Sequence, residues 1–317
     1  MYDKVKFFVD RSIIGSQYTN ISSHLEDAKS ETNIETGEVK TKGTLNGLSV
    51  GVVGGGVFVE GSLPKYHFGS NIYSLDRNST KDCIGCVSDT LGFDMRGANV
   101  IDLEFGTTFM MQHKVSAYLA KLGQMSRLQR YNFNSDTLYY KGKGKSKQPR
   151  VYTFYDKLAD CKAKHLAYPS DFEDKNLLRY EMRLNGRLAK KIGVPEVRAS
   201  TLYDREFYRE LVRRYQDSYF AISKINELKP NAMKEIKNVS DAFKIFVARL
   251  LSQTEQPQSQ IDAFVNEIKA AGVFEHDIYY IRLKDKLNEI ATKDNFTVSN
   301  ELIKELDDAV RNCCAYV

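Results

Sequence analysis

The chain contains no tryptophan and only six prolines, five histidines and five cysteines among 317 residues. No apolar run approaches the roughly 18 residues that span a bilayer, and the best candidate, residues 48–59, is short and glycine-rich. No membrane partner is expected. The opening MYDKVKFFVD lacks the apolar core of a secretory signal. An odd, sparse cysteine set does not suit a disulfide framework, so a reducing cytoplasm is the expected compartment. Cys83 and Cys86 form a C-x-x-C without a second pair, a spacing that local packing explains more simply than zinc or redox chemistry. His24, His67, His113, His165 and His276 are each isolated, so a His-hydrophobe-His metal clamp is missing. Carboxylates are the ligands this sequence offers for a metal.

What the chain does contain is 42% apolar and 27% charged residues, with a net charge of +5 and a pI near 8.7. That is the composition of a soluble globular protein long enough for two domains. Its mildly basic balance permits a nucleic-acid partner without requiring one. Residues 4–9 read as a first strand, residues 20–43 as a long hairpin or exposed loop, and residues 48–60 as one or two strands turning at Gly61–Pro64. The Gly54-Gly55-Gly56 run lacks the strand, loop and long helix of a phosphate loop and is expected to be a hairpin turn.

Residues 137–157, TLYYKGKGKSKQPRVYTFYDK, organise the rest. Two aromatic and β-branched arms, Thr137–Tyr140 and Val151–Tyr155, flank a basic loop carrying Lys141, Lys143, Lys145, Lys147 and Arg150. Strand alternation puts Tyr155 and Lys157 on one face. Residues 99–105, NVIDLEF, form a strand with Asp102 and Glu104 on the same face, Val100 beside them and Ile101, Leu103 and Phe105 inward. In LLRYEMRL, residues 177–184, Arg179, Glu181 and Arg183 share a face. The spacing of Val115, Leu119, Leu122 and Met125 predicts a helix over about 112–129, and a short helix follows the hairpin.

This order predicts an α+β fold, an antiparallel mixed sheet with helices on one side. VFVEGSLPK and VYTFYDK each run from a strand into a lysine, which suggests a duplication of about 1–95 in 96–200. From residue 201 the pattern is helical, with helices at 203–222 and about 231–253, 257–271, 276–291 and 298–313. Residues 1–200 are thus read as a catalytic domain, and 201–317 as a helical region for DNA recognition or dimerisation.

If the three charged strands are neighbours, Tyr155, Lys157, Asp102, Glu104, Glu181, Arg179 and Arg183 form one patch. The carboxylates suit Mg²⁺ or Mn²⁺, the cations suit phosphate, and the tyrosine is a candidate nucleophile. A cross-strand charge ladder accounts for the same residues without chemistry. The basic loop, likewise, is either a phosphate grip or a solvated loop.

VIDLEF, TLYYKGKGKSKQPRVYTFYDKLAD and LLRYEMRLNGRLAKKIGVP, in this order, with the earlier GSLPKYHFGSN, resemble rolling-circle replication initiators of phages and plasmids. That group contains the filamentous-phage gene II proteins and staphylococcal plasmid initiators. The resemblance covers most of residues 50–210. It implies a bacterial cytoplasmic, Mg²⁺- or Mn²⁺-dependent nickase and ligase acting on supercoiled origin DNA through a 5′-phosphotyrosyl bond. By position it assigns Tyr155 as nucleophile and Asp102 and Glu181 as metal ligands. A homodimer and a host helicase are implied as partners. Val100 stands where family members often have arginine. The competing readings are an origin-binding copy-control protein that does not cut, and a tyrosine recombinase or relaxase.

Overall fold

The computed structural model describes residues 1–144, 148–228, 234, 236–251, 256–292, 297–298 and 300–313. The chain divides into two compact units. The first comprises Met1–Ala120, Gln124–Ile222 and Asp307–Val317, and the second Lys121–Gly123 and Ser223–Leu306.

The first unit is built on one antiparallel sheet. Its strands are β1 (Tyr2–Asp10), β2 (Glu26–Thr32), β3 (Val39–Leu45), β4 (Leu48–Val53), β5 (Gly56–Ser62), β6 (Asn99–Met111), β8 (Gln129–Asn134), β9 (Thr137–Lys141), β10 (Arg150–Asp156) and β11 (Asn176–Asn185), while β7 (Leu122–Met125) lies outside it. Across the sheet the order is β2-β3-β4-β5-β1-β6-β11-β10-β9-β8. Alternation gives the sheet an apolar face of Val5, Phe7, Val9, Val57, Val59, Leu103, Phe105, Tyr180, Met182, Tyr152 and Phe154, all buried. The helix Arg205–Phe220 covers its centre. Tyr215 stacks on Tyr180 at 4.2 Å between ring centres, and Tyr208 meets Tyr2 and Phe105 edge-on. Arg205–Phe220, grouped with the helical region on sequence grounds, therefore packs within the sheet-bearing unit.

The α+β architecture and the helical C-terminal region are as the sequence pattern predicts, and so is the Gly54-Gly55 hairpin turn. Two local expectations are corrected. The helix over 112–129 is only Val115–Leu119, followed by β7 and β8. The apolar spacing crosses that junction because the short helix buries Val115 and Leu119 while β7 buries Leu122. Instead of turning at Gly61–Pro64, β5 runs to Ser62, whose side chain accepts from Lys65 N and caps the helix Leu63–Phe68. The C-x-x-C pair, for which local packing is the simpler reading, lies on the helix Arg77–Leu91, started by an Asp76–Ser79 capping box, with Cys83 buried against the Leu63 carbonyl and Cys86 exposed.

The two halves of the sheet share a strand order, but not with the correspondence that the lysine motifs suggest. By strand order β5 answers to β11, each lying beside the first strand of its half, whereas β10 answers to β4. VFVEGSLPK and VYTFYDK are therefore not equivalent positions. The second unit has its own small core, in which Ile261, Val265 and Tyr280 pack with Ile268 and Leu287 across the helices Pro257–Ala270 and Asp277–Thr292.

Candidate active site

The sheet order makes β6, β11 and β10 consecutive neighbours. Glu104 pairs with Arg183, Gly106 with Glu181, and Arg179 with both Thr108 and Tyr155. Period two then gathers Glu104, Arg179, Glu181, Arg183 and Tyr155 on the face opposite the apolar core. Gly106 is required there, because a Cβ would lie 2.5 Å from the Tyr180 carbonyl oxygen and 3.1 Å from Glu181 Cγ.

Three carboxylates converge at this point: Asp3, Glu104 and Glu181 are buried, and each offers an oxygen within 4.8 Å of the others. Asp3 was not among the sequence candidates. Simple alternation along β1 would turn it inward with Val5 and Phe7, but a register shift between Tyr2 and Val5 leaves Asp3 and Lys4 both on the charged face. Asp102 takes a different place. Its Oδ1 accepts from Gly186 N at 2.6 Å, and it stands outside the converging group. A second register shift, between Lys6 and Phe7, moves Val100 to the core side rather than beside the acids.

Arg179, expected to contact DNA, is 1% exposed and sits at the hub of the cluster. Nη2 donates to Asp3 at 2.5 Å, Nε to Glu181 at 2.7 Å, and Nη1 to the Asn71 carbonyl and Thr108 at 2.7 and 3.0 Å. With its donors engaged it positions carboxylates rather than meeting phosphate. Arg183 pairs with Glu104 yet keeps 43% of its side chain exposed. Lys141 lies on the charged face, 4.9 Å from the Tyr131 ring centre, and Lys143 is exposed. Arg150 is turned to the other face with Tyr152 by the alternation of β10. Lys145 and Lys147 lie outside the described residues.

Tyr155 donates its hydroxyl to Glu181 Oε1 at 2.8 Å. Burial raises its pKa far above the ordinary phenol value, the negative charge of Glu181 adds to this, and Arg179 opposes it. Burial, then repulsion from Glu181, lifts Glu104 to about 8. Asp3 behaves in the opposite way. Its burial disfavours charge, but Arg179 and the hydrogen bonds from Ser62 and Asn71 outweigh that and hold its carboxyl below the usual range. Lys157 lies in the helix Lys157–Ala163, not in the strand, because Asp156 caps that helix by accepting from Leu158 N and Ala159 N. Its ammonium is nevertheless 5.8 Å from the Tyr155 ring centre and 3.7 Å from Asp160, and burial lowers its pKa.

Three acids clustered in a buried site, one of them pushed up to about 8 by burial and like charge, form a donor set that suits a hard divalent cation. Among the described residues no helix is long and apolar enough to cross a membrane.

Residues 1–218 match the Phage CRI family model, which describes the N-terminal part of a replication-associated protein. The search of curated proteins returns no match. Among solved structures, a rolling circle replication initiator protein from Geobacillus stearothermophilus aligns over 76% of this chain and 89% of its own, with 12% identity and a TM-score of 0.39.

Proposed function

The chain belongs to the Phage CRI family of replication-associated proteins, and on that premise we propose that it initiates rolling-circle replication by nicking and rejoining origin DNA through Tyr155. The observation that carries this reading is the 2.8 Å hydrogen bond from the Tyr155 hydroxyl to Glu181, itself one of three converging buried carboxylates. Nucleophile and proton acceptor are already in contact, as an activated nucleophile requires.

In the nicking step Glu181 takes the phenolic proton as the Tyr155 oxygen bonds to phosphorus. The bond from phosphorus to the 3′ oxygen breaks, the leaving oxygen takes a proton from water, and the 5′ phosphate stays on the tyrosine. Attack by a 3′-hydroxyl in the reverse sense reseals the strand. Asp3, Glu104 and Glu181 would hold the Mg²⁺ or Mn²⁺, which supplies Lewis-acid polarisation of a phosphoryl oxygen. Arg179 fixes the orientation of Asp3 and Glu181, while Arg183, at the open side, meets the phosphate. Lys157 holds positive charge beneath the tyrosine ring.

Origin DNA is the partner, supercoiled and unpaired at the nick, in a bacterial cytoplasm. Initiation and termination each consume a tyrosine. A homodimer meets that need, and within one chain Tyr139 lies on the same sheet face, opposite Thr153. A host helicase then unwinds the nicked duplex. The helical region beyond residue 222 serves DNA recognition or dimerisation.

The deciding experiment incubates the protein with supercoiled plasmid carrying its origin and Mn²⁺, followed by denaturing gels. A nick with protein on the 5′ end is expected, abolished by EDTA, by Tyr155→Phe and by Glu181→Gln, with DNA binding kept in both variants. Origin binding without a nick under any divalent metal would instead make this a non-cutting origin-binding protein.

A further inference from the structure

At the seam between β1 and β6 the charged face opens into a cavity of about 310 Å³ lined by Lys4, Lys6, Glu60, Asp102, Leu103, Glu104, Arg183 and Asn185. Lys4 and Lys6 both reach the single carboxylate of Glu60, at 2.8 and 3.2 Å, so one negative charge faces two ammonium groups. Arg183, paired with Glu104, adds a third cation, and Asp102 and Glu104 add two carboxyl groups to the same lining. Beside the cavity, β1 and β5 pair Lys6 with Glu60 and Phe8 with Phe58. The Phe8 and Phe58 ring centres are 4.7 Å apart, and Lys6 Nζ lies 5.3 Å from the Phe58 ring centre.

These two rings are not core residues. The core of the same strands is Val5, Phe7, Val9, Val57 and Val59 on the other face, whereas Phe8 and Phe58 remain half-buried on the charged one. Paired aromatics interleaved with lysines on an open sheet face match the chemistry of an unpaired nucleic-acid strand, whose bases stack on rings while its phosphates track cations. Continuity with the acids gives the strand its path. Glu104 and Arg183 line the cavity and also border the Tyr155 cluster, so a strand with its scissile phosphate at Tyr155 runs on into the cavity.

We propose that this cavity and the adjoining Phe8–Phe58 pair form a subsite for nucleotides flanking the cut in a single DNA strand, with phosphate on Lys4, Lys6 and Arg183 and an unpaired base on the rings. The proposal rests on the nicking function assigned above and adds to it the N-terminal half of the sheet as part of the substrate track.

The test measures binding of a single-stranded origin oligonucleotide, labelled with 2-aminopurine on either side of the nick position, to full-length Tyr155→Phe protein at several salt concentrations. Adding Lys4→Gln and Lys6→Gln together is expected to shallow the log–log salt dependence by about 1.4, two single-strand phosphate contacts. Phe58→Ala is expected to weaken binding about 5- to 150-fold, the range for loss of one base–aromatic stack, and to restore free-probe emission at one flanking position only. Phe58→Leu keeps the apolar volume but loses the ring face, so it weakens binding too, and this separates stacking from a folding defect. Bound DNA with unaltered salt dependence and unaltered emission in these variants overturns the subsite and leaves the nicking reading standing. Failure of the parent protein to bind the oligonucleotide overturns both.

Discussion

Outward from the β1–β6 seam, the strands run β1-β5-β4-β3-β2 on one side and β6-β11-β10-β9-β8 on the other, so in each half the last strand lies beside the first. The halves differ in the connection before that last strand. In the N-terminal half β4 reaches β5 through a Gly54-Gly55 turn, leaving Lys4, Lys6, Phe8 and Phe58 on an open face. In the C-terminal half the step from β10 to β11 contains the helix Lys157–Ala163, and its Leu158 packs with Leu177 and Ile72 over the same face. That cover, together with Ser62 and Asn71 around Asp3, goes with a buried cluster: Arg179, Asp3 and Glu181 are at most 5% exposed, while the Lys4 and Glu60 side chains are 53% and 33% exposed. Strand order supplies the scaffold, and the inserted helix with the segment around Ser62 and Asn71 supplies the dry environment in which these charges matter.

The largest effect that follows falls on the buried half. Arg179→Met leaves Asp3 and Glu181 buried without their counter-charge, and breaking such a pair costs about 3–5 kcal/mol. Urea unfolding should show that deficit in full. A loss below about 1 kcal/mol, the scale of a surface pair, would erase the distinction between the halves.

Which side chains share the charged face is legible in the sequence, for a physical reason. Period-two alternation in NVIDLEF and LLRYEMRL fixes which side chains share a face, so Glu104, Arg179, Glu181, Arg183 and Tyr155 can be grouped once their strands are neighbours. Two classes of information are hidden. Register shifts on β1 and β6 bring Asp3 to the charged face and move Val100 away from it, and neither shift leaves a mark in the composition. Burial depends on what packs above. Nothing within R-x-E-x-R says that its first arginine is enclosed by Asp3, Asn71 and Thr108 while its second stays open. Gly106 is the one local clue to the close approach of Glu181.

A smaller, pH-dependent effect comes from Glu104. With its carboxyl raised from 4.5 to about 8 by burial and by Glu181, the folded protein holds a proton that the unfolded chain has released. Stability on this account is full below the ordinary carboxylate value and falls as pH rises towards 8. Glu104→Gln should therefore melt at the parent's temperature near about pH 5 and above it near about pH 8. It should also lose part of the melting-point rise that Mn²⁺ gives the parent, since a bound cation stabilises only the state that holds it. Melting curves of the metal-free proteins at the two pH values check the first claim. A variant less stable at the higher pH would show that the Arg183 pairing outweighs the repulsion.

The smallest effect belongs to the open half, and its size sharpens the comparison. Glu60 meets two lysines, which on a count of ion pairs makes it the equal of Glu181 and puts it ahead of Asp3. It is a third exposed, and a pair at that depth contributes within about 1 kcal/mol because water and salt screen it. Glu60→Gln is thus expected to shift the urea midpoint slightly in dilute buffer and not at all near about 1 M salt, where the screening length falls to about 3 Å. The Arg179→Met deficit should persist in the same salt, since mobile ions do not enter the buried space around Asp3, Arg179 and Glu181. Equal salt sensitivity in the two variants would mean that solvent reaches both halves alike, and burial could not then be what sets Asp3 and Glu181 apart from Glu60.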